Sequence, residues 1–281
     1  MASLQYPGLK LFAQPPTVFD NVKSIQLCEN LGLRDVAPLF QLQGLKNLEL
    51  TGLSAWNVDV EHERAMFSED STDVATLTIF PGDEQHLCPE AVAILLRSCR
   101  ALLSLHYECS MDVRTEISFD FTPINKVLGK FQHSLHSMNV ADLGVNTTTT
   151  PLSSLTELHQ LEIVSFDVSI ILGENADQWP LLSSVLPPSI RDVRLAAIYA
   201  GCEEAFTSTP GCISDLLSLD PMVLPNLQRL ALGIRYDEYA TRVDGDFKDE
   251  TWKKAFEARN LECFFFDENL ESGSDDSMES L

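Results

Sequence analysis

The sequence is short of basic residues. Its 281 residues include 19 lysines and arginines against 42 aspartates and glutamates, and the formal net charge at pH 7 is -23. Because such a charge repels phosphate backbones and anionic lipid surfaces, it excludes nucleic acid and membranes as expected partners. The charge favours a basic protein partner, or it serves only to keep the chain in solution.

Long hydrophobic runs and paired cysteines are also missing. No apolar stretch approaches the length that crosses a bilayer, and residues 1–7 contain no basic and apolar signal pattern. The cysteines number 7, an odd count, and none forms a C-x-x-C pair. This usage argues against a disulfide framework or a zinc site and suits a reducing compartment. We therefore expect a soluble protein of the cytoplasm or nucleus.

Motifs for nucleotide binding and hydrolysis are absent as well. The sequence contains no G-x-x-x-x-G-K-S/T, no G-x-G-x-x-G and no G-x-S-x-G. Two metal patterns are incomplete. No carboxylate or thiol completes His133-x-x-His136, and Ala255 stands where the calcium-like loop at Asp244 needs a bidentate glutamate. We expect no metal, no cofactor and no enzymatic activity.

What the sequence does contain is a recurring L-x-x-L-x-L pattern, clearest at residues 45–50. Its middle apolar residue returns at intervals of roughly 23 to 37 residues, at Ile25, Leu48, Leu77, Leu105, Met138, Leu161, Val193, Leu230 and Phe264. A strand and a helix that repeat at such a spacing are typical of a leucine-rich-repeat solenoid. The last two apolar residues of each pattern lie on the same side of a strand, and stacked units bury that side.

The pattern predicts an α/β solenoid with a curved parallel sheet on the concave side and irregular helices on the convex side. Nine strands are predicted, at residues 22–27, 45–50, 74–79, 102–107, 135–140, 158–163, 190–195, near 230 and at 261–266. Prolines suited to a first helical turn predict helices that begin at Pro89, Thr122-Pro123, Thr150-Pro151 and Trp179-Pro180. Two further helices are predicted, at residues 213–219 and 247–259.

The remaining segments are predicted to flank or interrupt the solenoid. Residues 1–21 are expected to cap its N-terminal end, residues 22–266 to form about nine irregular repeats, and residues 267–281 to be a disordered acidic tail. Residues 54–73 are acidic and have no helical period, which predicts a surface loop. In the tail, Ser272 and Ser274 stand beside two aspartates and are candidate phosphorylation sites; the alternative is a terminus that only improves solubility.

The repeats resemble the leucine-rich-repeat superfamily, and segments such as residues 42–50 and 224–230 carry this resemblance. The irregular, longer repeats are most similar to the repeat regions of fungal F-box-type proteins, over about residues 22–266. In that family an N-terminal F-box docks onto a cullin-type ubiquitin ligase while the repeats hold the substrate. An F-box helix bundle is not seen ahead of Val22. The resemblance implies a substrate-recognition role in ubiquitination, with a cullin-ligase adaptor as a partner.

Side chains between the apolar anchors are predicted to project from the concave face, where a protein partner would bind. The candidate partner-binding residues are Thr78, His106, Glu108, Asn139, Gln160, Glu162, Asp192 and Arg194. Three alternatives stay open. The face is merely solvated, or His106 and Glu108 belong to an acid–base enzyme site, or the chain is a purely structural scaffold.

Overall fold

The computed structural model of the chain describes residues 21–55, 59–81, 87–109, 118–141, 147–153, 155–173, 180–199, 222, 224–235, 254, 257–258 and 261–267. The chain divides into two compact units, Met1–Thr150 (unit 1) and Pro151–Leu281 (unit 2). Nearly all of the predicted N-terminal cap lies outside the described residues, as does the acidic tail with Ser272 and Ser274. The helices predicted at residues 213–219 and 247–259 also lie wholly or largely outside them.

The main sheet of unit 1 consists of parallel strands that follow one another in chain order. They are β1 (Ser24–Leu31), β2 (Asn47–Leu53), β3 (Thr76–Pro81), β4 (Ser104–Glu108) and, after a separate short strand β5 (Ser118–Asp120), β6 (Ser137–Ala141). Each strand pairs with the next in the order β1-β2-β3-β4-β6. The sequence predicts all of them except β5. Each begins at the third residue of its pattern, because the leading apolar residue precedes the strand.

Alternate residues of β2, β3, β4 and β6 are buried, whereas Ile25 and Leu27 of β1, at the edge of the sheet, are partly exposed. Successive side chains of a strand point to opposite faces, and the residues on one face are at most 1% exposed: Leu48, Leu50, Leu77, Ile79, Leu105, Tyr107, Met138 and Val140. The register places Leu48 beside Leu77, and Leu77 beside Leu105. Burial of each leucine stabilises the fold by roughly 1.5–3 kcal/mol, so this face supplies much of the favourable free energy.

The backbone repeats one hydrogen-bond arrangement at the start of each strand. The carbonyl of Lys23 accepts N–H bonds from Lys46 and Asn47, at 2.9 and 3.0 Å. The carbonyls of Lys46, Ala75 and Leu103 accept the corresponding pairs from the next strand along. Because a carbonyl oxygen has two lone pairs, this arrangement satisfies two donors at once and holds neighbouring strands in one register.

The helices of unit 1 are α1 (Leu33–Val36), α2 (Val60–Arg64), α3 (Pro89–Ser98) and α4 (Thr122–Leu128); short 3-10 turns follow α1 and α4, at Ala37–Gln41 and Gly129–Phe131. The prediction of a proline in the first turn is confirmed for α3 and α4. The Thr122 hydroxyl does not cap α4, because Thr122 is the first residue of the helix and Phe121 is its N-cap. The Asp120 carboxylate accepts a hydrogen bond from the Thr122 N–H at 2.9 Å. Hydrogen bonds from Thr122, first from its hydroxyl and then from its backbone N–H, lower the pKa of Asp120.

Residues 54–73, predicted as a surface loop, contain α2 and are tied to the end of α3. The Asp59 carboxylate caps α2 by accepting from the His62 N–H at 3.2 Å. Further along, the Thr72 N–H donates to the Ser98 carbonyl, and the Arg100 N–H donates to the Thr72 carbonyl. The loop prediction is therefore incomplete, since part of the segment is helical and its end is bound to the core.

A second, small sheet of unit 1 has no counterpart in the predictions. It pairs β5 with β7 (Thr147–Thr150) in parallel. The predicted helix start at Thr150-Pro151 is wrong, because Thr150 ends a strand and Pro151 follows it without entering a helix. Four consecutive threonines explain the difference, since β-branched side chains restrict rotation about the Cα–Cβ bond and favour extended backbone.

Unit 2 repeats the parallel arrangement. Its strands β8 (Ile163–Asp167), β9 (Asp192–Tyr199), β10 (Arg229–Arg235) and β11 (Glu262–Asp267) pair in chain order. Two short helices, α5 (Val168–Leu172) and α6 (Leu182–Val185), follow β8, and α6 is the helix predicted after Trp179-Pro180. The carbonyl of Glu162 accepts from the Arg191 and Asp192 N–H groups, as the Lys23 carbonyl does in unit 1.

The predicted strand at residues 158–163 is wrong. The Leu158 carbonyl accepts from the Leu161 N–H at 3.0 Å, which makes a turn, and the strand begins only at Ile163. Leu161 is the leading residue of the pattern, and Val164 and Phe166 are its buried strand residues. The β-branched and aromatic side chains of Val164 and Phe166 suit a strand better than His159 and Gln160 do.

The register predicted for the last strand is also wrong, by one residue. Taking Phe264 as the middle apolar residue pairs it with Leu230. The backbone instead pairs Leu230 with Cys263, and Ala231 with Phe264. Three consecutive phenylalanines give no alternation from which to choose between the two registers, so the sequence pattern is ambiguous at this strand.

The prediction of an α/β chain built on a mostly parallel sheet is confirmed by both units. A parallel pair of strands needs a crossover between them, which is why the connections carry the helices. Among the helices that the structure describes, none combines the length and the hydrophobicity that a bilayer crossing requires.

Burial on one sheet face predicts that Leu48→Asp destabilises the chain far more than Leu103→Asp. Leu48 is 1% exposed, whereas Leu103 is 45% exposed. A carboxylate without a partner in the core should lower the free energy of unfolding by about 3–5 kcal/mol, and a surface change by about 0.5 kcal/mol or less. Urea denaturation of both variants measures the difference. Equal losses of stability would contradict the assignment of Leu48 to the core.

The corrected register of β8 predicts which engineered cysteine pair oxidises to a disulfide. Ser165 lies directly opposite Arg194, whereas Glu162 precedes the strand. Neighbouring strands lie about 4.8 Å apart, within the Cα–Cα range of a disulfide. Ser165→Cys with Arg194→Cys should therefore cross-link, and Glu162→Cys with Arg194→Cys should not. Peptide mapping by mass spectrometry distinguishes the two, and the reverse result would restore the register predicted from residues 158–163.

Candidate functional site on the polar face of unit 1

The unit 1 sheet has a second face, opposite the buried one, on which no described side chain is buried. We call this the polar face. Its residues, read across β1, β2, β3, β4 and β6, are Ser24, Asn47, Thr76, Ser104 and Ser137 in the first row, Gln26, Glu49, Thr78, His106 and Asn139 in the second, and Cys28, Thr51, Phe80, Glu108 and Ala141 in the third.

The middle row is continuous across the sheet of unit 1. Backbone pairing places Gln26 beside Glu49, Glu49 beside Thr78, Thr78 beside His106, and His106 beside Asn139. The Gln26 amide donates to the Glu49 carboxylate at 2.7 Å, so side chains in this row bond across strands. In this row the structure brings together Thr78, His106 and Asn139, three of the predicted partner-binding residues.

His106 is the centre of a cluster on the polar face, which we call the histidine cluster: Phe80, His106, Glu108 and Asn139. The Phe80 and His106 rings meet edge to face, with centroids 4.9 Å apart and planes at 65°. His106 Nε2 lies 3.3 Å from Glu108 Oε1 and 3.4 Å from Asn139 Nδ2. The cluster combines an aromatic surface, a carboxylate, an imidazole and an amide within one sheet face.

The two polar contacts of His106 compete for one ring nitrogen. Nε2 donates to the Glu108 carboxylate only when it carries a proton, and it accepts from Asn139 Nδ2 only when it does not. Rotation of the Asn139 amide would present its oxygen, and both neighbours would then share one N–H. In the neutral ring, Glu108 therefore has at best a shared hydrogen bond and no full cationic partner.

Unit 2 carries a row of charges on its strands. Arg229 lies between two acids, with its NH1 atom 3.3 Å from an Asp192 oxygen and its Nε 3.2 Å from a Glu262 oxygen. These residues pair in register across β9, β10 and β11. Of these three residues, Asp192 is one of the predicted partner-binding residues.

Two of the predicted partner-binding residues do not lie in a strand. Gln160 and Glu162 precede β8, and Glu162 pairs with Arg191 at 3.6 Å. The positions beside Asp192 and Arg194 are occupied instead by Ile163 and Ser165. Glu108, Thr78, His106 and Asn139 belong to unit 1, and the other four predicted residues belong to unit 2.

Phe80 is the residue of the histidine cluster that sequence reasoning misses. The predicted third strand stops at Ile79, before the proline and glycine that follow, whereas β3 continues to Pro81. The signal was present, because Thr76, Thr78 and Phe80 continue the period of two that places alternate residues on one face. Phe80 thus lies on the polar face because β3 extends beyond Ile79.

Neither the Cys99 thiol nor a cluster of metal ligands forms a reactive centre among the residues that the structure describes. The buried Cys99 thiol is no candidate nucleophile, because loss of solvent raises its pKa to about 12. No cluster of three or more histidine, cysteine or acidic side chains suited to a metal ion occurs among the described residues.

Comparison with known proteins does not assign the chain to a family. No protein-family model matches it, and no curated protein matches it.

Proposed function

We propose that this chain is a non-enzymatic protein-interaction module, a leucine-rich-repeat solenoid that binds a partner protein on the polar face of its sheet. The support for the repeat architecture is the return of one pattern in each main strand. In unit 1 the same apolar alternation, the same paired hydrogen bond at the strand start and the same strand order recur from β1 to β6. Recurring units that bury one face against their neighbours are the physical basis of a solenoid.

The observation that carries the binding role is the polar face itself. Its rows of partly exposed side chains lie in register on strands whose opposite side is a closely packed core. Such a scaffold fixes the backbone positions of the contact residues before a partner arrives, which reduces the ordering entropy that binding costs. The side chains offer hydroxyl, amide, carboxylate and aromatic groups at the spacing of adjacent strands, about 4.8 Å.

A role in substrate recognition by a ubiquitin ligase is a narrower form of this proposal. Its support is the resemblance of the repeats to those of F-box-type proteins. In this form the polar face holds the substrate, and a cullin-ligase adaptor is a second partner of the chain.

An acid–base enzyme site is the second candidate function, and the contact of 3.3 Å between His106 and Glu108 favours it. A carboxylate can orient a histidine that acts as a general base. However, the other contacts described for His106 are with an aromatic ring and an amide, which supply neither a nucleophile nor a leaving-group acid. The arrangement therefore supports recognition better than reaction.

A large charged side chain in the middle row should abolish partner binding. We expect Thr78→Arg to remove a partner that wild-type protein retains in affinity capture from native cells, because the new side chain covers His106 and Asn139. Glu61→Arg, on the exposed side of α2, is the matched control that adds the same group elsewhere. Quantitative mass spectrometry compares the captured proteins.

Three outcomes of that capture separate the hypotheses. Loss with Thr78→Arg and retention with Glu61→Arg supports the polar face as the binding surface. Recovery of the same partners by both variants contradicts it. Capture of partners without any cullin-ligase adaptor, by the wild-type chain as well, removes the ligase role and leaves the interaction role standing.

A further inference from the structure

We infer that the polar face of unit 1 receives a lysine or arginine side chain of the partner protein, held between the Glu108 carboxylate and the Phe80 ring. This inference rests on the proposed function, since it specifies the chemistry of the partner at the same surface. It is carried by the charge distribution on the face and by the surroundings of Glu108.

The charge of the polar face has one sign. Across its rows of described residues the carboxylates are Glu49 and Glu108, and no position holds a lysine or an arginine. The other side chains are hydroxyl, amide, small or aromatic groups, together with His106. A face of this composition attracts a cationic segment and repels an anionic one, as electrostatic complementarity at interfaces requires.

Glu108 differs from the acids that form ion pairs elsewhere in unit 1. Its side chain is only 16% exposed, and its described partner is His106, which is charged only if protonated. Glu63 is a close comparison, because its side chain is 13% exposed and it is paired with Arg34 at 3.0 Å. A carboxylate that has lost most of its water is stabilised most by a full cation, and at Glu108 the chain does not supply one in the contacts described.

The contacts around Glu108 allow its carboxylate to bind a cation from the partner. Asn139 and Glu108 contact the same nitrogen of His106, so the imidazole is not committed to Glu108 alone. An incoming ammonium or guanidinium group would bond to Glu108 and free Nε2 to accept from Asn139. The charge-assisted bond gains strength because the carboxylate is already partly removed from water.

Phe80 provides the second contact. Its ring is partly exposed on the same face and touches the ring of His106 edge to face. Aromatic rings attract lysine and arginine through cation–π contact, and they also pack against the methylene groups of those side chains. A carboxylate beside a partly exposed ring thus matches both parts of a long basic side chain.

A random peptide library displayed on phage and selected on the immobilised full chain tests the inference. We expect the selected peptides to be enriched in lysine and arginine. Glu108→Gln should weaken their binding about tenfold or more, because a charge-assisted hydrogen bond is lost. Glu61→Gln removes the same charge from an exposed site on α2, so it should leave the affinity within about twofold.

A double-mutant cycle assigns the contact to Glu108. Citrulline in place of the peptide arginine, or acetyl-lysine in place of lysine, removes the cation and nearly keeps the shape. This change should weaken binding to wild-type protein and to Glu61→Gln, but have little further effect on Glu108→Gln. Circular dichroism and thermal melting of each variant show whether the fold is retained.

The outcomes separate this inference from the proposed function. Peptides that lose binding with Thr78→Arg but bind Glu108→Gln as tightly as wild type, or that are not basic, overturn the basic anchor and leave the polar face as a binding surface. Peptides indifferent to both substitutions, or a selection that enriches none, contradict the binding surface as well.

Discussion

The structure of each unit depends on burial of alternate apolar side chains along parallel strands that stay in register. In unit 1, Leu48, Leu77 and Leu105 are neighbours on adjacent strands and are almost completely buried. A shift of one residue in any strand would expose its buried set and bury its polar set. Register is therefore enforced by hydrophobic burial, and the paired hydrogen bonds at the strand starts add to it.

The same alternation generates the polar face. Because the strand period is two, every residue between two buried anchors projects to the opposite side, where it is available for contact. The position of His106 beside Thr78 and Asn139 follows from the register of Leu105 beside Leu77 and Met138. Core packing thus fixes the positions of the residues on the polar face, but not their identities.

Much of this arrangement could be predicted from the sequence, because the spacing of the apolar residues indicates which residues of neighbouring strands lie side by side. The rows through Thr78, His106 and Asn139 are predicted from apolar spacing alone. Prediction fails where the pattern has two solutions. Leu158 and Leu161 both fit as the leading residue before β8, and only the turn between them excludes the first. The three phenylalanines of β11 give no alternation at all.

Contacts between distant residues could not be predicted. The edge-to-face contact of Phe80 with His106 depends on β3 extending past Ile79, and the pairing of β5 with β7 joins two segments too short to have a period. Likewise, the burial of most of the Glu108 side chain depends on its neighbours in three dimensions and not on its place in the pattern. The proposed binding site depends on these features.

Native-state hydrogen exchange, resolved by residue, tests the in-register sheet most directly. The amides of Asn47, Thr76 and Ser104 belong to residues of the polar face, yet their N–H groups donate to the carbonyl of the residue that immediately precedes the neighbouring strand. We expect these amides to exchange slowly although the side chain of Asn47 is exposed. Exchange at the rate of an unstructured peptide at all three positions would contradict the register, and with it the polar face.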